Sequence, residues 1–266
     1  MRTLGWITDP HFNFLDRMRF DAFVQRLEGA PISGLLLGGD LAEAPSVVPF
    51  LTTLDARLPY PIYFVLGNHD YYHGGIETTR HQVARWVRGS ARSHWLARTT
   101  VVPLTEKTGL VGHGGWGDAR AGDFANSPIR LNDYRLIKEL TEWDRGVLAQ
   151  KLQALGDEAA AHLDAALDVA LSQFDDVIVL THVPPFVEAC WHEGQISDHQ
   201  WSPHFTCLAT GDVLLAAAAA HPDRRIHVLC GHTHGAGRAM LSPNLTVSTG
   251  GAEYGAPALQ ELLYVR

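Results

Sequence analysis

Five apolar runs in this 266-residue chain each end in a short polar cluster, and that repetition constrains the fold more than any other feature. The runs are Leu4–Ile7, Leu35–Leu37, Ile62–Leu66, Val177–Leu180 and Ile226–Cys230. The clusters are Asp9-Pro10-His11, Gly39-Asp40, Gly67-Asn68-His69-Asp70, Thr181-His182 and Gly231-His232-Thr233-His234. Near-continuous Val, Ile and Leu runs without strict alternation predict strands covered on both faces, and α/β proteins bind ligands beyond the carboxyl ends of such strands. Every cluster sits at such an end.

Asp, Asn and His supply oxygen and nitrogen donors without a thiolate among them, a mix suited to Mn, Fe, Zn or Co. The clusters offer Asp9, His11, Asp40, Asn68, His182, His232 and His234 as ligands. One ion cannot use them all, since a tetrahedral zinc site takes about four protein ligands. The sequence therefore predicts two divalent ions sharing a carboxylate, with Asp40 as the natural bridge.

These donors run from Asp9 to His234, so a split into independently folding halves would cut the site, and residues 1–266 are expected to form one domain. The net charge of -8 opposes long-range attraction to nucleic acid, which leans on Lys and Arg neutralising phosphates, and favours a small-molecule substrate. The longest strongly apolar stretch, Val213–Ala220, is far short of the about 20 residues a membrane-spanning helix needs. The N-terminus enters a strand pattern directly and leaves no room for a removable signal, so a cytoplasmic location is the default expectation. Cys190, Cys207 and Cys230 are scattered without metal spacing and read as idle thiols of a reducing compartment.

Helical periodicity covers Asp16–Glu28, Ser46–Arg57, Ile76–Arg88, Gly211–Ala220 and Trp143–Phe174, the last with an expected break at Gly156-Asp157. Leu163, Ala166, Leu167, Ala170 and Leu171 repeat every three or four residues and predict one buried helix face. Further strands are expected at Thr100–Leu104, Leu110–His113, Leu245–Thr249 and Leu259–Val265. The stretch 131–174 reads as a mainly helical excursion. The glycines of Gly112–Asp118 suit either a backbone approach to a phosphate or a tight turn, and the turn is the preferred reading. Pro184–His204, rich in aromatics and histidines and without periodicity, reads as a substrate-covering loop or as a packed excursion. Glu253 and Tyr254, after a strand candidate, suit either a reach into the cleft or a turn, and the turn is the preferred reading.

The ordered set DPH, GGD, GNHD, TH and GHTH resembles the calcineurin-like metallophosphoesterase superfamily over nearly the whole chain. The resemblance implies an α/β fold, a four-layer αββα sandwich of two mixed sheets between helices. Carried over by motif, it assigns Asp9, His11, Asp40 and His234 to a first ion, and Asp40, Asn68, His182 and His232 to a second. His69 is left to protonate the leaving oxygen or stabilise the transition state, with Asp70 holding its ring. The stretch after Asp40, Leu41-Ala42-Glu43-Ala44, lacks both the arginine of the protein Ser/Thr phosphatases and the tyrosine of the purple acid phosphatases. The pattern is closer to the bacterial cyclic-nucleotide phosphodiesterase-like and small-molecule branches. The implied activity is hydrolysis of a small phosphomonoester or phosphodiester by direct attack of water. The competing readings are a nuclease of the same superfamily and a non-catalytic binding scaffold.

Overall fold

The computed structural model describes Met1 to Arg266. Its strands are β1 (Arg2–Ile7), β2 (Gly34–Gly38), β3 (Ile62–Val65), β4 (Ser93–Trp95), β5 (Val102–Pro103), β6 (Thr108–Gly112) and β7 (Asp176–Leu180). There follow β8 (Trp191–His192), β9 (Gln195–Ile196), β10 (Arg225–Cys230), β11 (Gly237–Ser242), β12 (Leu245–Thr249) and β13 (Glu261–Val265). The α-helices are α1 (Arg17–Glu28), α2 (Val47–Arg57), α3 (Ile76–Val87), α4 (Asp133–Leu136), α5 (Arg145–Gln173), α6 (Ser202–Phe205) and α7 (Leu208–Ala220).

Two mixed sheets stack face to face. The first runs β13-β1-β2-β3-β4 and the second β11-β12-β10-β7-β6-β5, while β8 and β9 form a separate hairpin. Within the first sheet β1 to β4 are parallel and only β13 is antiparallel. In the second, β6, β7, β10 and β12 are parallel, flanked by antiparallel β5 and β11.

Side chains alternate across each strand, so the residues of one strand divide between two cores. In β2, Leu35 and Leu37 join α1, α2 and α3 in an outer core, whereas Leu36 faces the second sheet. Leu4, Trp6, Leu36, Tyr63 and Val65 of the first sheet meet Leu110, Ile178, Leu180 and Leu229 of the second between the layers. A third core joins the far face of the second sheet to α5 and α7 through Val177, Val179, Val228, Leu163, Leu167 and Leu214. The order of layers is thus helix, sheet, sheet, helix. This double cover explains why the strands read as continuous apolar runs. Truncating fully buried Leu36 to alanine is expected to cost about 2–5 kcal/mol.

The helix α5 departs from expectation by running unbroken through Gly156. Asp144 caps its start by accepting from the Val147 N–H. Leu148 and Leu152 near its start pack in the outer core of the first sheet, and Leu163 to Leu171 pack on the second. Gly156 is there for contact: a Cβ would lie 2.7 Å from the Asp118 Cβ. Residues 131–140, expected within a helical excursion, form only α4 and a short 3-10 turn. The edge strands β4 and β11 were not anticipated, and β5 is shorter than the run Thr100–Leu104.

Candidate metal centre

Parallel pairing puts the carboxyl ends of β1, β2 and β3 side by side, and likewise those of β7 and β10. Asp9, Asp40, Asn68, His182 and His232 lie within three residues of those ends. The chain turns sharply there. Eight non-glycine residues have positive φ, and five of them are predicted ligands: Asp9, His11, Asp40, His232 and His234. Left-handed backbone at a non-glycine residue costs about 1–3 kcal/mol and persists where surrounding structure enforces it, often at functional sites. Two glycines admit the carboxylates: a Cβ on Gly67 would lie 2.1 Å from Asp40 Oδ1, and one on Gly231 2.0 Å from Asp9 Oδ2.

The first expected group closes fully. Ligand atoms of Asp9, His11, Asp40 and His234 all lie within 4.8 Å of one another. His11 Nε2 is 3.1 Å from His234 Nε2 and 3.8 Å from Asp40 Oδ2, and His234 Nε2 is 3.5 Å from Asp9 Oδ1. Backbone and hydroxyl donors hold the carboxylates in place. The His232 N–H donates to both Asp9 oxygens, the Thr8 hydroxyl donates to Asp9 Oδ2, and the His69 N–H donates to Asp40 Oδ1.

Of the second expected group, His182 and Asn68 meet Asp40 on its other side, and the His232 ring lies edge-on to His182 at 5.0 Å. His182 Nε2 is 3.3 Å from Asp40 Oδ1 and 3.0 Å from Asn68 Oδ1. His182 Nδ1 lies 2.9 Å from the Gly38 carbonyl, which can only accept, so the ring proton is on Nδ1 and Nε2 presents a lone pair. Asn68 Nδ2 donates to the Asp133 carboxylate at 2.8 Å, which turns Oδ1 toward the same space. Two acceptors therefore face each other 3.0 Å apart with no proton between them. A cation resolves that arrangement. His232 Nε2 donates to the His204 carbonyl at 3.3 Å and keeps Nδ1 free as a donor to an ion.

Electrostatics point the same way. Burial, with Asp9 and Asp70 nearby, pushes the Asp40 carboxyl well above its usual range. Burial would also raise Asp9, but the rings of His182, His234 and His11 outweigh it and hold Asp9 low. Burial pushes His11 down to about 4 and His182 to about 3, leaving neutral imidazoles, the form that binds metals. Four buried carboxylates, Asp9, Asp40, Asp70 and Asp133, share this pocket. Isolated buried charge is costly, and divalent cations offset it. The residues thus fit the expected ions.

His69 stands at the rim, its side chain 17% exposed, with Nε2 3.9 Å from Asp40 Oδ2. Its ring lies on Tyr72 at 4.2 Å and 27°, and edge-on to His11 at 4.7 Å. Burial, with the His11 and His182 rings, pushes it down to about 2. Asp70 corrects the expectation that it holds this ring. Its carboxylate instead accepts from the Ala42 and Gly67 N–H groups at 2.9 Å each, tying together the loops that carry Asp40 and Asn68. Burial raises its carboxyl to about 7 against those bonds.

Sequence reasoning missed Asp133 and Tyr72. The Tyr72 hydroxyl donates to Asp133 at 2.6 Å, so one carboxylate supports both the Asn68 amide and the ring beneath His69. Tyr254 is a turn residue, as preferred, and also reaches the cleft, where its ring covers His11 at 4.5 Å. Beyond the end of β6 at Gly112, residues 113–118 are irregular rather than the tight turn expected: Gly114 and Gly117 pack against the backbone of Leu66 and His204, and Trp116 is buried. The segment 184–204 packs against the second group through His204, and His192 Nδ1 donates to the Thr233 carbonyl.

Two facing sheets with an Asp, Asn and His cluster at their strand ends define the metallophosphoesterase class of α/β sandwich. The chain belongs to the calcineurin-like phosphoesterase family, whose pattern matches residues 3–236. Among solved structures it is similar to the phosphopantetheinyl hydrolase of Mycobacterium tuberculosis, at 16% identity and TM-score 0.65, covering 95% of this chain and 90% of that one. It is also similar to a dimetal phosphatase from Danio rerio, at 15% identity and TM-score 0.59, covering 96% and 89%. A protein from Thermus thermophilus shows 14% identity and TM-score 0.54, covering 94% and 89%. At these identities the likeness concerns the fold. No curated protein matches the sequence. No helix is long and apolar enough to cross a membrane.

Proposed function

We propose that the chain is a two-ion phosphoesterase that hydrolyses a small phosphomonoester or phosphodiester by direct attack of water on phosphorus. The reading rests most on the facing acceptors His182 Nε2 and Asn68 Oδ1 beside Asp40, adjoining a complete first group across the same carboxylate. Asp9, His11, Asp40 and His234 would hold one ion, and Asp40, Asn68, His182 and His232 the other. Bound divalent ions would acidify water and polarise phosphoryl oxygens, the chemistry such hydrolysis needs.

The chain's own groups do the rest. Asp40 reaches both sides through its two oxygens, Oδ2 toward His11 and Oδ1 toward His182. His69 sits beside Asp40 as a neutral ring, so it serves by donating one N–H to the charge that develops on the leaving oxygen. Tyr72 backs that ring and restricts its tilt. The acidic balance of the chain argues against a nuclease.

The test is turnover of nitrophenyl phosphate mono- and diesters and cyclic nucleotides by chain reloaded with Mn, Fe, Zn or Co. Metal-dependent release of nitrophenol or nucleotide supports the reading. A fully loaded chain inert to the whole panel contradicts it.

A further inference from the structure

Two aromatic rings stand half in water beside the metal centre, and each comes from a different sheet connection. Phe14 ends the 3-10 turn that follows β1 and is 50% exposed; Tyr254, between β12 and β13, is 47% exposed. They lie 4.7 Å apart at 48°. Tyr254 also lies 5.1 Å from the His234 ring and 6.4 Å from His69, in addition to its contact with His11. The pair thus extends the wall of imidazoles outward on the side where His69 stands.

The loops that carry the rings are fastened together. The Arg19 guanidinium, in the first turn of α1, donates to the Gly255 carbonyl at 2.8 Å. Gly255 has φ +76°, and its Cβ position lies 3.8 Å from the Phe14 carbonyl. The rings are therefore held across the mouth of the site while about half of their surface faces solvent. Exposed apolar surface is unfavourable, and a patch that borders a polar cleft commonly marks a ligand surface.

We propose that Phe14 and Tyr254 form a subsite for a planar aromatic group on the phosphoester, so that the preferred substrates are aryl or nucleoside phosphates rather than alkyl ones. This rests on the phosphoesterase reading above and names the substrate class of that site. An ester substituent leaving the ligand cluster past His11 and His69 would meet Tyr254, 4.5 and 6.4 Å from those rings, and then Phe14. An aromatic substituent can stack there, whereas a short alkyl chain gains little. Aromatic pairing contributes about fivefold in affinity for each ring beyond area burial.

The test compares binding of phenylphosphonate, ethylphosphonate and adenosine 5′-monophosphate to the Mn-loaded full chain by calorimetry, which requires no turnover. The expected result is a phenyl-over-ethyl preference of about 25-fold that falls to about fivefold in Phe14→Ala and in Tyr254→Ala, while Tyr254→Phe retains it. A nucleotide that shares the preference and its loss extends the subsite to bases; a nucleotide that binds only as ethylphosphonate does restricts it to simple aryl esters. Equal binding of phenyl- and ethylphosphonate overturns the proposal, as does an unchanged ratio in both alanine variants. If neither phosphonate binds the Mn-loaded chain, the phosphoesterase reading fails instead.

Discussion

Asp133 fixes which end of the Asn68 amide faces the metal centre. Its carboxylate takes the Nδ2 proton at 2.8 Å, so Oδ1 can only turn toward His182. A carboxylate behind a ligand commonly sets ligand orientation, and its loss costs about 10- to 100-fold in metal affinity or activity. Asp133→Ala is expected to weaken binding of one of the two ions by that amount and leave the other much less affected. Calorimetric Mn titration checks this through the appearance of two separated affinities.

His69 lies outside the group of ligand atoms that closes within 4.8 Å, yet its Nε2 stands 3.9 Å from Asp40 Oδ2. His69→Ala, which removes one hydrogen-bond donor to the developing charge, is expected to lower kcat by about two to three orders of magnitude. The ions remain, so metal content measured alongside kcat separates this loss from a structural one.

For Asp70, loop anchoring and ring orientation make different forecasts. Two buried N–H groups, of Ala42 and Gly67, depend on its carboxylate, and leaving each unsatisfied costs about 1–3 kcal/mol. Asp70→Ala is therefore expected to lower Tm and metal occupancy together. Loss of kcat with intact Tm and full occupancy would restore the ring-orienting role.

His113, away from the metal centre, governs a separate response to acid. Burial pushes it down to about 3, and its Nδ1 accepts from the Gly115 N–H. Below the unfolded value near 6.5, the unfolded chain binds a proton that the folded chain refuses. Stability from this residue is thus constant above about pH 6.5 and falls by about 1.4 kcal/mol per pH unit down to the folded value. Denaturant unfolding of His113→Gln between pH 5 and 7 is expected to show a shallower pH slope than the parent chain.

The ligand-bearing strand ends were legible because burial on both faces writes an unbroken apolar run, and a polar cluster directly after it has no role in a core. Asp9, Asp40, Asn68, His182 and His232 all follow that rule. Asp133 does not: it opens the four-residue helix α4, 65 positions from Asn68, and a helix that short shows no period to mark an inward-facing residue. Tyr254 reads as an ordinary turn residue because glycines and alanines surround it, and only the fold brings it to His11. Gly156 misled for the opposite reason. Its sequence signature is that of a helix break, while its structural reason is close approach to Asp118.

The most direct test of the account is diffraction from Mn-soaked crystals with anomalous peaks counted at the strand ends. Two peaks flanking Asp40 are expected, one among Asp9, His11 and His234 and the other among Asn68, His182 and His232. A single peak, or two peaks that do not share Asp40, would contradict it.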